Sequence, residues 1–312
     1  MKNIMTVRNL KKSFKENNVL KGINFEVHEG EVLCILGPNG AGKSTTINIL
    51  TAALGSDEGS IYFKDTPISK VLRSYKQSIG IVPQEIALYE ELSAERNLSF
   101  FASLYGLYGN KLKEAVEEAL EFAGLKDRRK DKVKAFSGGM KRRLNIACAI
   151  AHHPELIIMD EPTVGIDPQS RNHILSSIKE LQAQGMTVIY TTHYMEEVEA
   201  ISSRIIIMDH GAVIAEGTKE SLKEEIENEK RYTIEVEENG KTGHDEFFTI
   251  EGVKNVKIEG NTIEITSLKG VENLDRIISL LSDRGEKIRN ISSEAASLEM
   301  VFLKLTGRKL RD

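Results

Sequence analysis

Gly37–Thr45 reads GPNGAGKST and stands between the apolar run Val32–Leu36 and the helical pattern Thr46, Ile47, Ile49, Leu50. A strand, a glycine-rich turn and a helix in that order form a phosphate cradle. Gly37, Gly40 and Gly42 let the backbone bend around a ligand and aim successive N–H groups at phosphate oxygens. The helix N-terminus adds free donors and a favourable dipole. Lys43 can place a point charge on the β- and γ-phosphates, and the Ser44 hydroxyl can ligate Mg²⁺. Pro38, Asn39, Ala41 and Thr45 complete the loop. Nucleotide binding is therefore the premise for reading the rest of the chain.

The whole-chain numbers narrow the setting. The 312 residues allow one large domain or two. Net charge is −5 with a pI near 5.9, which gives no electrostatic footprint for nucleic acid or an anionic membrane surface. With no Trp and 6% aromatics, a base-stacking surface is poorly supplied. No apolar run approaches the roughly 18–20 residues that span a bilayer, and the N-terminal MKNIMTVRNLKKSF lacks the apolar segment of a signal peptide. The expected location is cytoplasmic, with any membrane role acting through a partner. Cys34 and Cys148 sit in apolar contexts and read as free core thiols.

Upstream of the cradle, residues 4–36 read as strands, ending in a run suited to burial on both faces. Phe14, in KKSFKEN, reads either as a satellite core residue or as an aromatic platform for a purine. Downstream, Ser60–Phe63 and Ile79–Gln84 read as strands, the second ending at Gln84. From Tyr89 the chain turns helical, with Leu112, Val116, Ala119, Leu120 and Ala123 on one face. FSGGM occupies 136–140: Ser137 is a good N-cap, and Gly138 and Gly139 let a phosphate approach the backbone.

LIIMD at 156–160 is an apolar strand ending in a carboxylate, with Glu161 next. Consecutive residues at a strand end diverge, so Asp160 can face a metal while Glu161 faces the γ-phosphate and an attacking water. VGID at 164–167 leads into a helix, Gln169–Gln182. TVIYTT at 187–192 is a further strand, ending at His193, a candidate γ-phosphate hydrogen-bond donor. The charged, helix-prone stretch at 219–230 reads as a connector. Beyond it, alternation at Tyr232–Val236, Phe247–Ile250, Val253–Ile258 and Ile263–Ile265, succeeded by a helix at 274–281, suggests a small α+β domain.

As an ordered set, GPNGAGKST, Gln84, FSGGM, LIIMDEP, VGID and His193 resembles the nucleotide-binding domain of ATP-binding cassette (ABC) proteins over residues 2–220. The resemblance implies an α/β fold: a P-loop NTPase with a RecA-like core, an antiparallel β subdomain and an α-helical subdomain (about 89–152). The nucleotide-binding domain is expected over 1–220, a linker over 221–230 and the C-terminal α+β domain over 231–312. It further implies ATP and Mg²⁺ as cofactors and two copies packed head to tail. Each ATP would lie between the phosphate loop of one copy and Ser137–Gly139 of the other. Lys43 and Ser44 would bind phosphates and Mg²⁺, with Asp160 supporting the metal. Glu161 would act on the water and His193 would hold the γ-phosphate. Gln84 would serve the metal site and link it to the helical subdomain, Asp167 would lie at the dimer seam, and Phe14 would stack on adenine.

Two motifs depart from the family pattern. FSGGM replaces LSGGQ, so Met140 offers no amide, and VGID replaces SGLD, losing a hydroxyl at Val164. Neither removes Ser137–Gly139 or Glu161, so two competent, equivalent sites are expected in a homodimer. YEELSAERNLSFFASLYG, FSGGMKRRLNIA and SLEMVFLKLTGRKL are similar to the daunorubicin-resistance-type branch of exporters, whose permeases are separate chains. That branch implies an ATPase peripheral on the inner face of the cell membrane, touching it only through the permease, with no nucleic-acid partner. It also suggests dimer contact or regulation for the C-terminal domain. The competing readings are a soluble ABC ATPase acting on ribosomes or DNA and an importer ATPase.

Overall fold

A computed structural model describes residues 2–226, 229–237, 242–294 and 297–307. By internal contacts the chain divides between Lys219 and Glu220 into two units, the second ending at Gly307.

In the first unit, β1 (Asn3–Phe14) and β2 (Asn17–His28) pair antiparallel. β3 (Val32–Leu36) leads through the glycine loop into α1 (Lys43–Leu50). β4 (Glu58–Phe63) pairs with the other edge of β1 and with the short β5 (Thr66–Pro67), giving an antiparallel sheet of order β2-β1-β4-β5. α2 (Leu72–Ser78) precedes β6 (Ile79–Val82). Then come α3 (Ala94–Leu104), α4 (Gly109–Ala123), α5 (Gly138–Ile150), β7 (Leu156–Asp160), α6 (Pro168–Ala183), β8 (Thr187–Thr192), α7 (Met195–Ile201), β9 (Arg204–Asp209) and β10 (Ala212–Gly217).

The central sheet has the order β10-β9-β3-β8-β7-β6. β9, β3, β8, β7 and β6 run parallel and only β10 is antiparallel. Every residue of β3, β7 and β8 is buried, as a parallel sheet covered on both faces requires. The parallel direction brings the C-terminal ends of β3, β6, β7 and β8 to one edge, where α/β sheets bind ligands. α3, α4 and α5 form a separate helical cluster around Leu98, Val116, Leu120, Leu144 and Ala147. Ser93 caps α3 by accepting from the Arg96 N–H, and Gly124 closes α4 in the left-handed region.

The second unit contains β11 (Glu229–Val236), β12 (Val253–Glu259), β13 (Thr262–Leu268) and β14 (Ile288–Glu294) in an antiparallel sheet of order β12-β13-β11-β14. α9 (Leu274–Asp283) contributes Ile277 and Leu281 to a core shared with Tyr232, Ile234, Ile263 and Ile265. α10 (Leu298–Thr306) comes last.

Several local expectations are corrected. Phe247–Ile250 is not a strand: His244–Thr249 forms 3-10 helix that buries Phe247 and exposes Phe248. The fourth strand is β14, and α2 and β5 were not anticipated. Within the expected 221–230 linker, α8 (Lys219–Ile226) occupies the first part and β11 starts at Glu229. Residues 227 and 228 of that stretch, and 308–312 of the C-terminal segment, lie outside the described residues. Phe14 is the last residue of β1 and nearly half exposed, which removes the satellite-core alternative. Cys34 and Cys148 are free and buried.

Candidate active site

The cradle is built by packing as much as by conformation. A Cβ on Gly37 would lie 2.4 Å from the Met208 carbonyl oxygen, and one on Gly42 would lie 2.7 Å from Leu20 Cδ2. Gly42 also has φ 102°, in the left-handed region, and it stands at the N-cap of α1 without a side-chain cap. The first-turn N–H groups of α1 are thus left for a ligand. Asn39 and Gly40 are exposed, Ala41 is buried with its N–H on Pro38 O, and Thr45 is half-buried.

Lys43 opens α1 and is 5% exposed. Its ammonium donates to Gly37 O at 2.8 Å and Pro38 O at 3.2 Å, and lies 3.0 Å from Glu161 Oε1. The carbonyl contacts hold the lysine tip over its own loop, while Glu161 supplies the opposite charge that a buried ammonium needs. His193 Nδ1, just beyond β8, lies 3.3 Å from the same Glu161 oxygen. Gln84, two residues beyond β6, donates from Nε2 to Glu161 Oε2 at 3.4 Å. Groups from beyond β3, β6 and β8 therefore converge on the one carboxyl group carried just beyond β7.

Asp160 and Glu161 diverge as expected. Asp160 Oδ1 accepts from Ser44 Oγ at 3.3 Å and from Thr191 Oγ1 at 2.7 Å, so it faces Ser44 rather than Lys43. Glu161 turns away because its backbone takes φ 42°, held there by its N–H donating to Thr191 Oγ1 at 2.9 Å. Burial acts to raise the Glu161 carboxyl, but the Lys43 ammonium, with help from His193, outweighs it and holds the group below its ordinary range. A hydroxyl beside one carboxylate suits Mg²⁺, which takes one or two protein oxygens and completes its shell with water and phosphate.

The remaining expected residues lie elsewhere. Ser137 caps α5 by accepting from the Met140 N–H, next to exposed Gly138. A Cβ on Gly139 would meet Ser170 Oγ at 2.0 Å, so this glycine lets α5 pack on the start of α6. Asp167 caps α6, accepting from Ser170 N at 2.9 Å, and its carboxyl is held below its usual range by that bond. No hydrogen bond or ion pair among the described residues joins Ser137, Gly138, Gly139 or Asp167 to Lys43 or Glu161. Phe14 is separate from this cluster, with Lys12 Nζ 5.6 Å from its ring centroid.

Three residues that shape the site were not anticipated. Thr191 orients both acids. Arg142 on α5 is buried and donates to Pro83 O at 2.7 Å and to Gln84 O, fixing the loop that carries Gln84. Asn145, one turn on, accepts from Ala87 N at 3.1 Å. The sequence signal for Arg142 is its place in GMKRRL, where the polar residue falls on the buried face of the helix.

Comparison with known proteins bears on the family. Residues 20–164 match the ABC transporter family, and residues 217–306 match the C-terminal domain of DrrA1-3-like ATP-binding proteins. The chain is 44% identical to the linearmycin resistance ATP-binding protein LnrL of Bacillus subtilis, covering 99% of this chain and 100% of that protein. It is 33% identical to the daunorubicin resistance ATP-binding protein DrrA3 of Streptomyces coeruleorubidus, covering 97% and 96%. Among solved structures, cbiO1 from Clostridium perfringens aligns at TM-score 0.66 and 32% identity, over 72% of this chain and 92% of that one. A dimeric ATP-binding cassette in a post-hydrolysis state with ADP and Pi aligns at TM-score 0.63 and 28% identity, over 69% and 98%. The chain belongs to the ABC transporter family, as an ATP-binding, ATP-hydrolysing subunit of the daunorubicin-resistance-type exporter branch.

Proposed function

We propose that two copies of this chain pair head to tail around two Mg-ATP and drive export through a separate membrane permease. The observation that carries this reading is the convergence of Lys43, Gln84 and His193 on Glu161 at one edge of the parallel sheet. Lys43 would hold the β- and γ-phosphates. Its ammonium is the group that neutralises Glu161, and phosphate oxygens compete for it. Glu161, once less tightly paired, is placed to orient a water and take its proton, with His193 donating to the γ-phosphate and Gln84 positioning the water and metal shell. Ser44 and Asp160 would hold Mg²⁺, which supplies charge neutralisation on the phosphates when bound. Phe14 would face the adenine ring.

Ser137, Gly138 and Gly139 make no hydrogen bond with Lys43 among the described residues, and Ser137 and Gly138 are exposed, which leaves them open to serve the partner copy's nucleotide. Asp167, at the cap beside them, would lie on the seam. No helix among the described residues is long and apolar enough to cross a membrane, which is compatible with a subunit peripheral on the inner face and joined to it through the permease. The names of the resistance relatives, and that of a further one, the Nod factor export ATP-binding protein I of Rhizobium sp. (36% identical, covering 96% of each chain), support export as the transport direction.

The test is Glu161→Gln in the full chain. ATP binding should persist within about threefold, while turnover falls on the order of 100-fold or more and an ATP-bound dimer accumulates, read by light scattering. Unchanged hydrolysis would remove Glu161 from its role as the base.

A further inference from the structure

Glu197, in the first turn of α7, is fully buried, yet no hydrogen bond or ion pair among the described residues joins it to Lys43 or Glu161. Its Oε1 accepts from Thr163 Oγ1 at 2.6 Å. Its Oε2 accepts from Tyr190 OH at 2.9 Å and Thr192 Oγ1 at 2.7 Å. Arg171 Nε lies 3.6 Å from Oε1. A carboxyl group in such a place carries a desolvation cost that packing alone would not select, and every one of these neighbours offers it a donor.

The donors are not scattered. Thr163 lies two residues beyond Glu161. Thr192 immediately precedes His193, and its hydroxyl also accepts from the Tyr194 N–H at 2.9 Å, so the histidine is bracketed on both sides. The Tyr194 ring is 4.2 Å from that of His193, and the Arg171 guanidinium lies 4.6 Å from the Tyr194 centroid. Arg171 belongs to α6, which Asp167 caps. Tyr190 stays a donor, because burial and the adjacent Glu197 push its hydroxyl far above the usual phenol range.

We infer that Glu197 is a positioning residue for hydrolysis, fixing His193 against Glu161 by binding the segments beyond β7 and at the end of β8 to one buried carboxyl group. The inference rests on the catalytic roles proposed for Glu161 and His193. A carboxylate suits the task because it is acceptor-only with two oxygens. Glutamine in its place would turn an NH₂ toward hydroxyls that already donate.

The experiment compares the full chain with Glu197→Ala, Glu197→Gln and Thr192→Val, measuring kcat, the KM for ATP and ATP affinity by titration. Glu197→Ala should lower kcat roughly 10- to 100-fold, with KM and affinity held within about twofold. Glu197→Gln should fall between it and wild type. Thr192→Val, which keeps volume and leaves Glu197 in place, should lower kcat in the same way and serves if the alanine variant does not fold. In a His193→Ala background, Glu197→Ala should cost less than about twofold more, because the route through His193 is already gone. Unchanged kcat in Glu197→Ala and Thr192→Val, or the full loss repeated on His193→Ala, overturns the inference. Glu161→Gln is run alongside: if it still hydrolyses, the underlying reading fails. If it is inactive while Glu197→Ala turns over normally, only the positioning role of Glu197 fails.

Discussion

Glu161 is a buried counter-charge for Lys43 and, in the proposed function, also the base for water. The first has a measurable consequence. Its carboxyl is held below its ordinary value of about 4.5 because the Lys43 ammonium prevails over burial. A carboxyl with a lowered folded-state value binds its proton more readily in the unfolded chain. It therefore contributes stability that is complete above about pH 4.5 and is lost as pH falls through the folded value. Glu161→Gln lacks that titration. The difference in Tm between wild type and Glu161→Gln should be constant from about pH 7 to about pH 5 and shift against wild type at lower pH, as scanning calorimetry across that range reads out. A difference that does not change with pH would show that Lys43 and Glu161 are not paired in solution. Other carboxylates titrate equally in both proteins and cancel.

At the scale of elements, α5 matters for two things it carries: Ser137 and Gly138 at its start, and Arg142 one turn on, gripping the Gln84 loop. Arg142→Met keeps the stem and removes both donors, leaving the Pro83 and Gln84 carbonyls poorly satisfied. It should cost about 2–3 kcal/mol in urea denaturation and lower turnover more than ATP affinity, since Gln84 loses its support while the cradle does not. Equal losses in both would make Arg142 a general scaffold residue. The same helix shows where sequence reading reaches and where it stops. Runs such as VLCIL and LIIMD announce buried parallel strands, and the polar residues that follow such runs, Lys43, Asp160, Glu161 and His193, could be picked out as the candidate cluster that the structure brings to one sheet edge. Arg142 and Thr191 were not, because Gln84 and Asp160 lie 58 and 31 residues from them in the chain; Glu197 has Tyr190 and Thr192 close by in sequence, but its tie to Thr163 spans 34 residues and only the fold makes it. α2, LRSYKQS, buries only Tyr75 and so has no apolar stripe to betray it. Phe247–Ile250 looked like a strand because two aromatics and an isoleucine suit one, yet the segment turns as 3-10 helix. β14 pairs on β11 alone, at a sheet edge, with only Ile288 and Ile291 to mark it.

The whole-molecule question is whether a complete site belongs to one chain or to two. The proposed head-to-tail pairing would make the phosphate loop of one copy and the Ser137–Gly139 turn of the other a single site, and that composition can be tested by mixing two disabled chains. Lys43→Ala would remove the proposed phosphate contact. For the opposing turn the structure favours Gly138→Glu: a Cβ there meets nothing closer than Ile166 Cδ1 at 3.8 Å, whereas one on Gly139 would collide with Ser170. The new carboxylate sits at the first position of α5, where the helix dipole tolerates it, but it repels phosphate. Each variant alone should form a dimer with two spoiled sites and hydrolyse little. In an equimolar mixture about half of the dimers are mixed, and each mixed dimer holds one site built from the intact loop of one chain and the intact turn of the other. Turnover should then recover to about a quarter of wild type if the sites act independently. ATP trapped after adding Glu161→Gln to both chains should recover likewise. A site contained within one chain predicts no recovery in either measurement, because neither variant has both halves. Absence of recovery in both turnover and trapping would therefore sink the head-to-tail arrangement, while leaving Lys43 and Glu161 in the roles that the Glu161→Gln assay tests separately.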